Sequence, residues 1–92
     1  MAKVTVSRLE GQIEDVEGFR VRVTRDGGEV RGDKKELSSY PFQRAGFKRS
    51  TVRDWTESRF HRYYPEFDVE VLLGNGQVAK PRRHLDGVRD TY

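Results

Sequence analysis

The segment GFKRSTVRDWTESRFHRYYP, residues 46–65, constrains the fold of this 92-residue chain more than any other segment. Thr51 followed three residues later by Asp54 is a helix-capping pattern, and Pro65 ends a helix because it has no backbone N–H to donate. Between these signals the apolar side chains recur at helical spacing. The predicted apolar face consists of Val52, Trp55, Thr56, Phe60 and Tyr63. We therefore predict one main helix from Thr51 to Tyr64.

Segments on both sides of this helix alternate between apolar and polar residues, which is typical of half-buried strands. The apolar members are Val4 and Val6, then Phe19, Val21 and Val23, and after the helix Val69, Val71 and Leu73. Asp26-Gly27-Gly28 and Asn75-Gly76 are tight-turn sequences. We expect each turn to join two antiparallel strands, with return strands at residues 29–31 and 77–79.

The remaining segments complete the predicted architecture. Residues 32–49 show no period, and we expect a long connection with one helical turn at residues 34–37. The spacing of Leu85, Val88 and Tyr92 predicts a short C-terminal helix. The predicted fold class is α+β, a mostly antiparallel sheet of about five strands in the order β-β-β-loop-α-β-β, with the main helix packed on one face.

Length and composition favour a single domain spanning residues 1–92. Ten aromatic residues offset a hydrophobic fraction of only 34%, and no repeat or linker divides the chain. The absence of cysteine excludes disulfide bonds and thiolate metal sites. The N-terminus lacks the apolar core of a signal peptide, and no apolar run is long enough to span a bilayer. These features predict a cytoplasmic protein without a membrane partner.

Positive charge is concentrated in the later part of the chain. Residues 1–33 contain six Lys or Arg and seven Asp or Glu, giving −1, whereas residues 34–92 contain twelve and eight, giving +4. Arg accounts for thirteen of the cations, and its planar guanidinium suits phosphates, carboxylates and aromatic faces. A genome rich in G and C would produce the same preference, so the placement of the cations is more informative than their number.

Cations surround the predicted start of the main helix. Arg44, Lys48 and Arg49 precede it and Arg53 lies in its first turn, where backbone amides and the helix dipole already favour anions. Phe42 and Phe47 lie among them and offer stacking faces of the kind that bind single-stranded nucleic acid. A solvated charge run, with the two phenylalanines closing the end of the core, is the alternative interpretation. We predict a phosphate-binding site here.

A second basic group, Arg82 and Arg83 beside Lys80, follows the last predicted hairpin. These residues would enlarge the same site if the fold brings the end of that hairpin near the start of the helix. Sequence alone does not establish this proximity, so the joint surface is a hypothesis.

Arg59 lies four residues after Trp55 and four before Tyr63. Either its methylenes cover the two rings while the guanidinium reaches solvent, or a stacked guanidinium presents a partly desolvated charge to an anionic partner. Trp55 belongs either to the core or to a stacking face for nucleic acid. On the second interpretation both residues are part of the predicted interface.

These features favour a small basic binding module that contacts the phosphate backbone of RNA or DNA. A protein-interaction module, either a homodimer or a small regulator of a larger protein, is the main alternative because Tyr and Arg are enriched at interface hot spots. The tyrosines available for it are Tyr40, Tyr63, Tyr64 and Tyr92. The size, basicity and strand-rich order are also similar to those of phage or mobile-element accessory proteins.

A metal-independent ribonuclease is the third interpretation, with His84 beside two arginines as the proton donor or acceptor. Asp54, Glu57 and His61 share the outer helix face, which a solvated surface explains better than a metal site. The chain contains no phosphate-binding glycine loop and no dinucleotide fingerprint. We therefore predict no cofactor and assign no catalytic residue.

Overall fold

The computed structural model of the protein describes residues 3–25, 28–30, 37–46 and 48–92. In these residues the helices are α1 (Val6–Glu17), α2 (Val52–Trp55, continued by a π-helix over Thr56–His61) and α3 (Leu85–Arg89). The strands are β1 (Lys3–Val4), β2 (Arg20–Arg25), β3 (Gly28–Glu29), β4 (Leu37–Ser38) and β5 (Asp68–Leu72). The α+β class agrees with the prediction. None of the helices described is long and apolar enough to cross a membrane.

The strands form two antiparallel sheets in the described residues, which corrects the prediction of one sheet of about five strands. The larger sheet has the order β3-β2-β5, with Val21 opposite Val71. The smaller sheet pairs β1 with β4, with Val4 opposite Leu37. The physical reason is that α1 begins two residues after β1 and takes the chain away before β1 can join β2.

Helix α1 occupies the place where the alternation of Val4 and Val6 predicts a longer strand. Thr5 ends the strand and starts the helix, because its Oγ1 accepts the N–H of Arg8 at 3.1 Å. The buried face of α1 consists of Val6, Leu9, Ile13 and Glu17. Gly18 terminates it at a φ of 82°, a left-handed conformation that favours glycine. The first strand is therefore shortened to β1 by a helix that the alternation of two valines does not predict.

The main helix is confirmed, together with its capping box. Thr51 Oγ1 accepts the N–H of Asp54 at 3.1 Å, and Asp54 Oδ2 accepts the N–H of Thr51 at 3.4 Å. The hydroxyls of Thr56 and Ser58 donate to backbone carbonyls four residues earlier, at 2.9 and 2.7 Å. Such side-chain donors compete with the helical N–H groups, which favours the wider π-helical turns. The helix ends at His61, three residues before the predicted end.

The predicted turns and connections have mixed outcomes. Gly76 adopts a φ of 87°, as expected for the turn after Asn75, but the return segment makes one bridge, Leu72 with Val78, instead of a strand. The return strand of the first hairpin is confirmed as β3. Residues 26 and 27 of its turn, and most of the predicted helical turn at 34–37, lie outside the described residues.

The core lies between α1, the larger sheet and the α2 helix. Its largest side chain is Trp55, whose ring meets that of Phe19 edge-on with centroids 5.2 Å apart. Phe60 packs on the other side of Trp55, with a centroid separation of 6.3 Å. The predicted C-terminal helix is confirmed as α3, which buries Leu85 and Val88. These contacts hold the start of α2 and the start of α3 against the same core.

Candidate nucleic-acid interface

Backbone pairing brings the two basic segments of the sequence together. Ser50 accepts the N–H of Leu85 and Arg83 accepts the N–H of Val52, both at 2.9 Å, on either side of an antiparallel bridge between residues 51 and 84. The pairing continues in both directions through the backbones of Lys48, Arg53, Pro81 and Asp86. The sequence did not establish whether the segment after the last hairpin lies near the start of the main helix, and this pairing shows that it does.

The paired segments, residues 48–53 and 80–84, form what we call the basic strip. It contains six Lys or Arg residues and no acidic residue. The six are Lys48, Arg49, Arg53, Lys80, Arg82 and Arg83, all of them exposed. Asp54 and Asp86 flank the strip, and each carboxylate accepts a backbone N–H. The charged residues of the strip are therefore all cations, and the acids that border it are each hydrogen-bonded to a backbone N–H.

Most of the strip cations carry no acidic partner in the described part of the chain. Arg53 pairs with Glu57 one turn later, at 3.3 Å between two exposed side chains, which is a weak and salt-sensitive contact. Arg83 donates to the backbone carbonyl of Gly87 at 3.3 Å. The other four make no side-chain hydrogen bond to any described residue and can rotate to meet a phosphate.

The backbone amides at the start of α2 are already occupied, which corrects the prediction that they help to bind an anion. The N–H groups of Val52 and Arg53 donate to carbonyls of the 81–83 segment at 2.9 and 3.0 Å. Those of Thr51 and Asp54 donate within the capping box. Because these donors face protein oxygens, the start of α2 does not offer its backbone amides to an anion, and the side-chain cations are the main groups available to bind one.

Arg44 takes no part in the backbone pairing that joins the strip. Arg44 is exposed, and its backbone carbonyl accepts a hydrogen bond from Arg59 at 2.6 Å. Its side chain makes no hydrogen bond to a described residue. Phe47 lies outside the described residues.

Trp55 is buried in the core, and Arg59 is half-buried beside it. The Trp55 side chain is 2% exposed, and its Nε1–H donates to Tyr40 Oη at 3.2 Å, so its ring offers no stacking face to a ligand. The Arg59 guanidinium turns inward, packs over the Phe42 ring at 4.1 Å and pairs with Glu17 at 2.8 Å. Neither interpretation of Arg59 from the sequence describes this arrangement, because its guanidinium faces neither solvent nor an external partner but Glu17 of α1.

Glu17 is the centre of a buried polar cluster that sequence reasoning missed. Its side chain is completely buried and accepts hydrogen bonds from Tyr40 Oη and the Gly46 N–H, both at 2.6 Å. Arg59 and Arg89 pair with its two oxygens at 2.8 and 3.3 Å. Burial, followed by the hydrogen bond and the negative charge of Glu17, raises the pKa of the Tyr40 phenol. The cluster is fully satisfied internally, which is typical of a structural centre and not of a ligand site.

The histidines do not form a catalytic constellation. His84 is exposed at the start of α3 and makes no side-chain contact with a described carboxylate. His61 lies at the other end of the α2 helix, where its Nε2 is 3.0 Å from Oδ1 of Asp68 in β5. Within the ranges that the structure describes, no three metal-ligating side chains converge. The geometry therefore adds no support to the ribonuclease interpretation.

The tyrosines proposed for a protein interface have different environments. Tyr40 and Tyr64 are buried, and Tyr64 donates to the Ser38 carbonyl at 2.9 Å. Tyr63 and Tyr92 are 44% and 49% exposed, and Tyr92 Oη contacts the Leu72 carbonyl. Two exposed aromatic side chains in separate places do not define one surface.

Comparison of the chain with protein-family models, with curated proteins and with solved structures finds no match.

Proposed function

We propose that the protein binds the phosphate backbone of RNA or DNA through the basic strip. The observation that carries this proposal is the backbone pairing of residues 48–53 with 81–86, which brings the six exposed cations of the strip together. Cations spaced along two adjacent segments can follow successive phosphates. Because the helix amides are occupied, binding depends on side-chain charge, and contacts to phosphates carry no sequence information.

The proposal predicts steep salt dependence. If all six cations contact phosphates of a single strand, the logarithm of the affinity should fall with the logarithm of salt concentration with a slope of about −4. Fluorescence anisotropy with labelled single-stranded RNA, single-stranded DNA and duplex DNA across a salt series measures this slope. Each lost contact should reduce the slope by roughly 0.7 to 0.9.

The double variant Arg49→Glu/Arg82→Glu tests the strip directly, because neither side chain makes a hydrogen bond or an ion pair with a described residue. We expect it to lower affinity at least tenfold and to reduce the salt slope. Arg8→Glu/Arg62→Glu is the matched control: it makes the same change in net charge at two exposed arginines outside the strip. Equal loss in both variants, or no binding of any nucleic acid by the wild type at low salt, would refute the proposal.

A further inference from the structure

A groove with a volume of about 450 Å³ lies between the α2 helix and β5. The helix wall is formed by Val52, Thr56 and Glu57, and the strand wall by Val69 and Val71. Its remaining apolar lining comes from Val78, Ala79 and Pro81. This is a cleft in the size range of binding sites, with an apolar floor and a polar rim.

The strand wall of the groove is an open backbone edge. Val71 accepts the N–H of Ala79 at 2.7 Å, so the backbone groups of Val71 point away from β2. Those of Val69, two residues earlier, point the same way because strand residues alternate. Val23 lies opposite Val69 in β2, and its carbonyl accepts the N–H of Val30 on the β3 side. The backbone groups of Val23 therefore point away from β5 and do not bond to Val69. No described residue bonds to the N–H or the carbonyl of Val69, or to the N–H of Val71.

The edge of β5 is open at Val69 because the returning chain pairs with β5 only as far as Ala79. Continuing the register of the Leu72–Val78 bridge would place residue 81 opposite residue 69. Instead, Pro81 turns to the helix, where its carbonyl accepts the N–H of Arg53 at 3.0 Å. The groove is thus the position that a longer return strand would occupy.

Length and charge define what can fill this position. The helix wall from Arg53 to His61 is roughly 12 Å long and the strand wall from Val69 to Val71 about 7 Å, room for about three extended residues beside the strand. Arg53, with Lys80 next to Pro81, places two cations at the end nearest the strip, although Arg53 pairs with Glu57 at 3.3 Å and Glu70 also lines the groove. At the other end, the pair of His61 with Asp68, 3.0 Å apart, closes the groove.

We propose that this groove binds an extended peptide segment of a partner protein, which adds to β5 as an edge strand. The peptide's backbone pairs with Val69 and Val71, and alternate apolar side chains enter the space between Val52, Thr56 and the strand. An acidic side chain of the peptide lies beside Lys80 and Arg53, where it replaces the weak contact of Arg53 with Glu57. This second function does not depend on nucleic-acid binding.

Selection from a display library of random decapeptides on the folded protein tests the proposal. Enriched peptides should alternate Val, Ile or Leu with polar residues and carry an acidic residue at one end. Their synthetic forms should shift the amide resonances of Val69 and Val71 and slow the hydrogen exchange of both. N-methylation of the peptide at its pairing amides should abolish binding, since it removes the donors without changing the side chains.

Two protein variants separate edge pairing from adventitious contact. Val69→Pro deletes the outward N–H and leaves the hydrogen bonds to β2 in place, so we expect binding about threefold to tenfold weaker. Thr56→Trp fills the groove and should abolish binding. Ser58→Trp is its matched control, because the Ser58 hydroxyl also bonds the carbonyl four residues earlier but does not line the groove.

Three results would overturn the proposal. The first is a selection that enriches no peptide, and the second is a set of peptides that bind the wild type and Thr56→Trp equally. The third is slowed exchange at Val69 that depends on protein concentration alone, which would identify a second copy of this chain as the occupant. Neither Val69→Pro nor Thr56→Trp changes a strip residue, so nucleic-acid affinity should be unaffected in both.

Discussion

At the scale of single residues, Glu17 determines more of the structure than any surface charge. Its carboxylate receives donors from Tyr40, Gly46, Arg59 and Arg89, which come from the 40–46 segment, the α2 helix and α3. A carboxylate removed from water is tolerated only when its partners replace the lost hydration. One residue therefore fixes the segment that leads into the basic strip.

Replacement of Glu17 by Gln should strongly destabilise the protein. The amide keeps the shape of the side chain but removes the negative charge facing two arginines, which costs about 3 to 5 kcal/mol in the free energy of unfolding. Urea denaturation monitored by tryptophan fluorescence measures this change. Glu14→Gln is the control, because Glu14 pairs with Arg20 at 3.4 Å on the surface and should cost less than about 1 kcal/mol. Similar losses in the two variants would show that the buried cluster is not a stabilising centre.

At the scale of elements, the parts that local signals specify could be predicted from the sequence. The capping box at Thr51, the turn glycine at position 76 and the alternation in β2 and β5 all act through neighbouring residues, and the structure contains each of them. Helix α1 also had a local signal, with Val6, Leu9 and Ile13 at helical spacing, but the alternation of Val4 and Val6 competes with it.

Long-range contacts account for most of what the sequence did not reveal. The partner of Arg59 is 42 residues away and the bridge to position 84 joins segments 33 residues apart, and neither has a sequence signature. The second sheet also depends on a long-range contact, because β1 pairs with β4, on the other side of α1 and β2 in the sequence. The basic residues of the interface could thus be named from the sequence, whereas their joining into one strip could not.

Gly74 and Gly11 should respond in opposite directions to replacement by Ala. A Cβ at Gly74 would lie 1.8 Å from the Thr91 carbonyl oxygen, so the C-terminal turn must move, and we expect a loss of about 2 kcal/mol or more. Gly11 lies within α1 with nothing within 4 Å of its added Cβ, so Ala should stabilise the helix by about 0.5 to 1 kcal/mol. Thermal unfolding compares the two. A neutral Gly74→Ala would mean that the C-terminus does not pack against this turn.

At the scale of the whole molecule, one change of direction creates both proposed sites. The chain leaves the edge of β5 after Ala79 and runs to the start of α2, where residues 81–86 pair with 48–53. Because residues after Ala79 leave β5, the groove beside the strand stays open. Because residues 81–86 then pair with 48–53, the two basic segments form the strip. Arg53 contributes to both, since it belongs to the strip and lines the groove. A nucleic acid and an acidic peptide bound together would therefore share one cation.

The stability of the whole fold should fall in alkaline solution. Burial raises the pKa of Tyr64 from 10.0 to about 12, and the pKa of Tyr40 is also raised. Above pH 10 the unfolded chain loses phenolic protons that the folded chain retains, so unfolding releases protons and rising pH favours the unfolded state. The stabilisation is complete below pH 10 and is lost progressively as the pH rises towards 12, with Tyr64 contributing of the order of 2 kcal/mol.

Urea denaturation of the wild type, Tyr64→Phe and Tyr63→Phe between pH 9 and pH 11 should separate the contribution of Tyr64 from general alkaline effects. Tyr64→Phe loses the hydrogen bond to the Ser38 carbonyl and is less stable at pH 9, but its stability should decline less steeply with pH. Tyr63→Phe removes a phenol that is 44% exposed and should keep the wild-type slope. An unchanged slope in Tyr64→Phe would mean that this phenol titrates alike in both states, and that burial between the π-helix and β4 does not hold its proton.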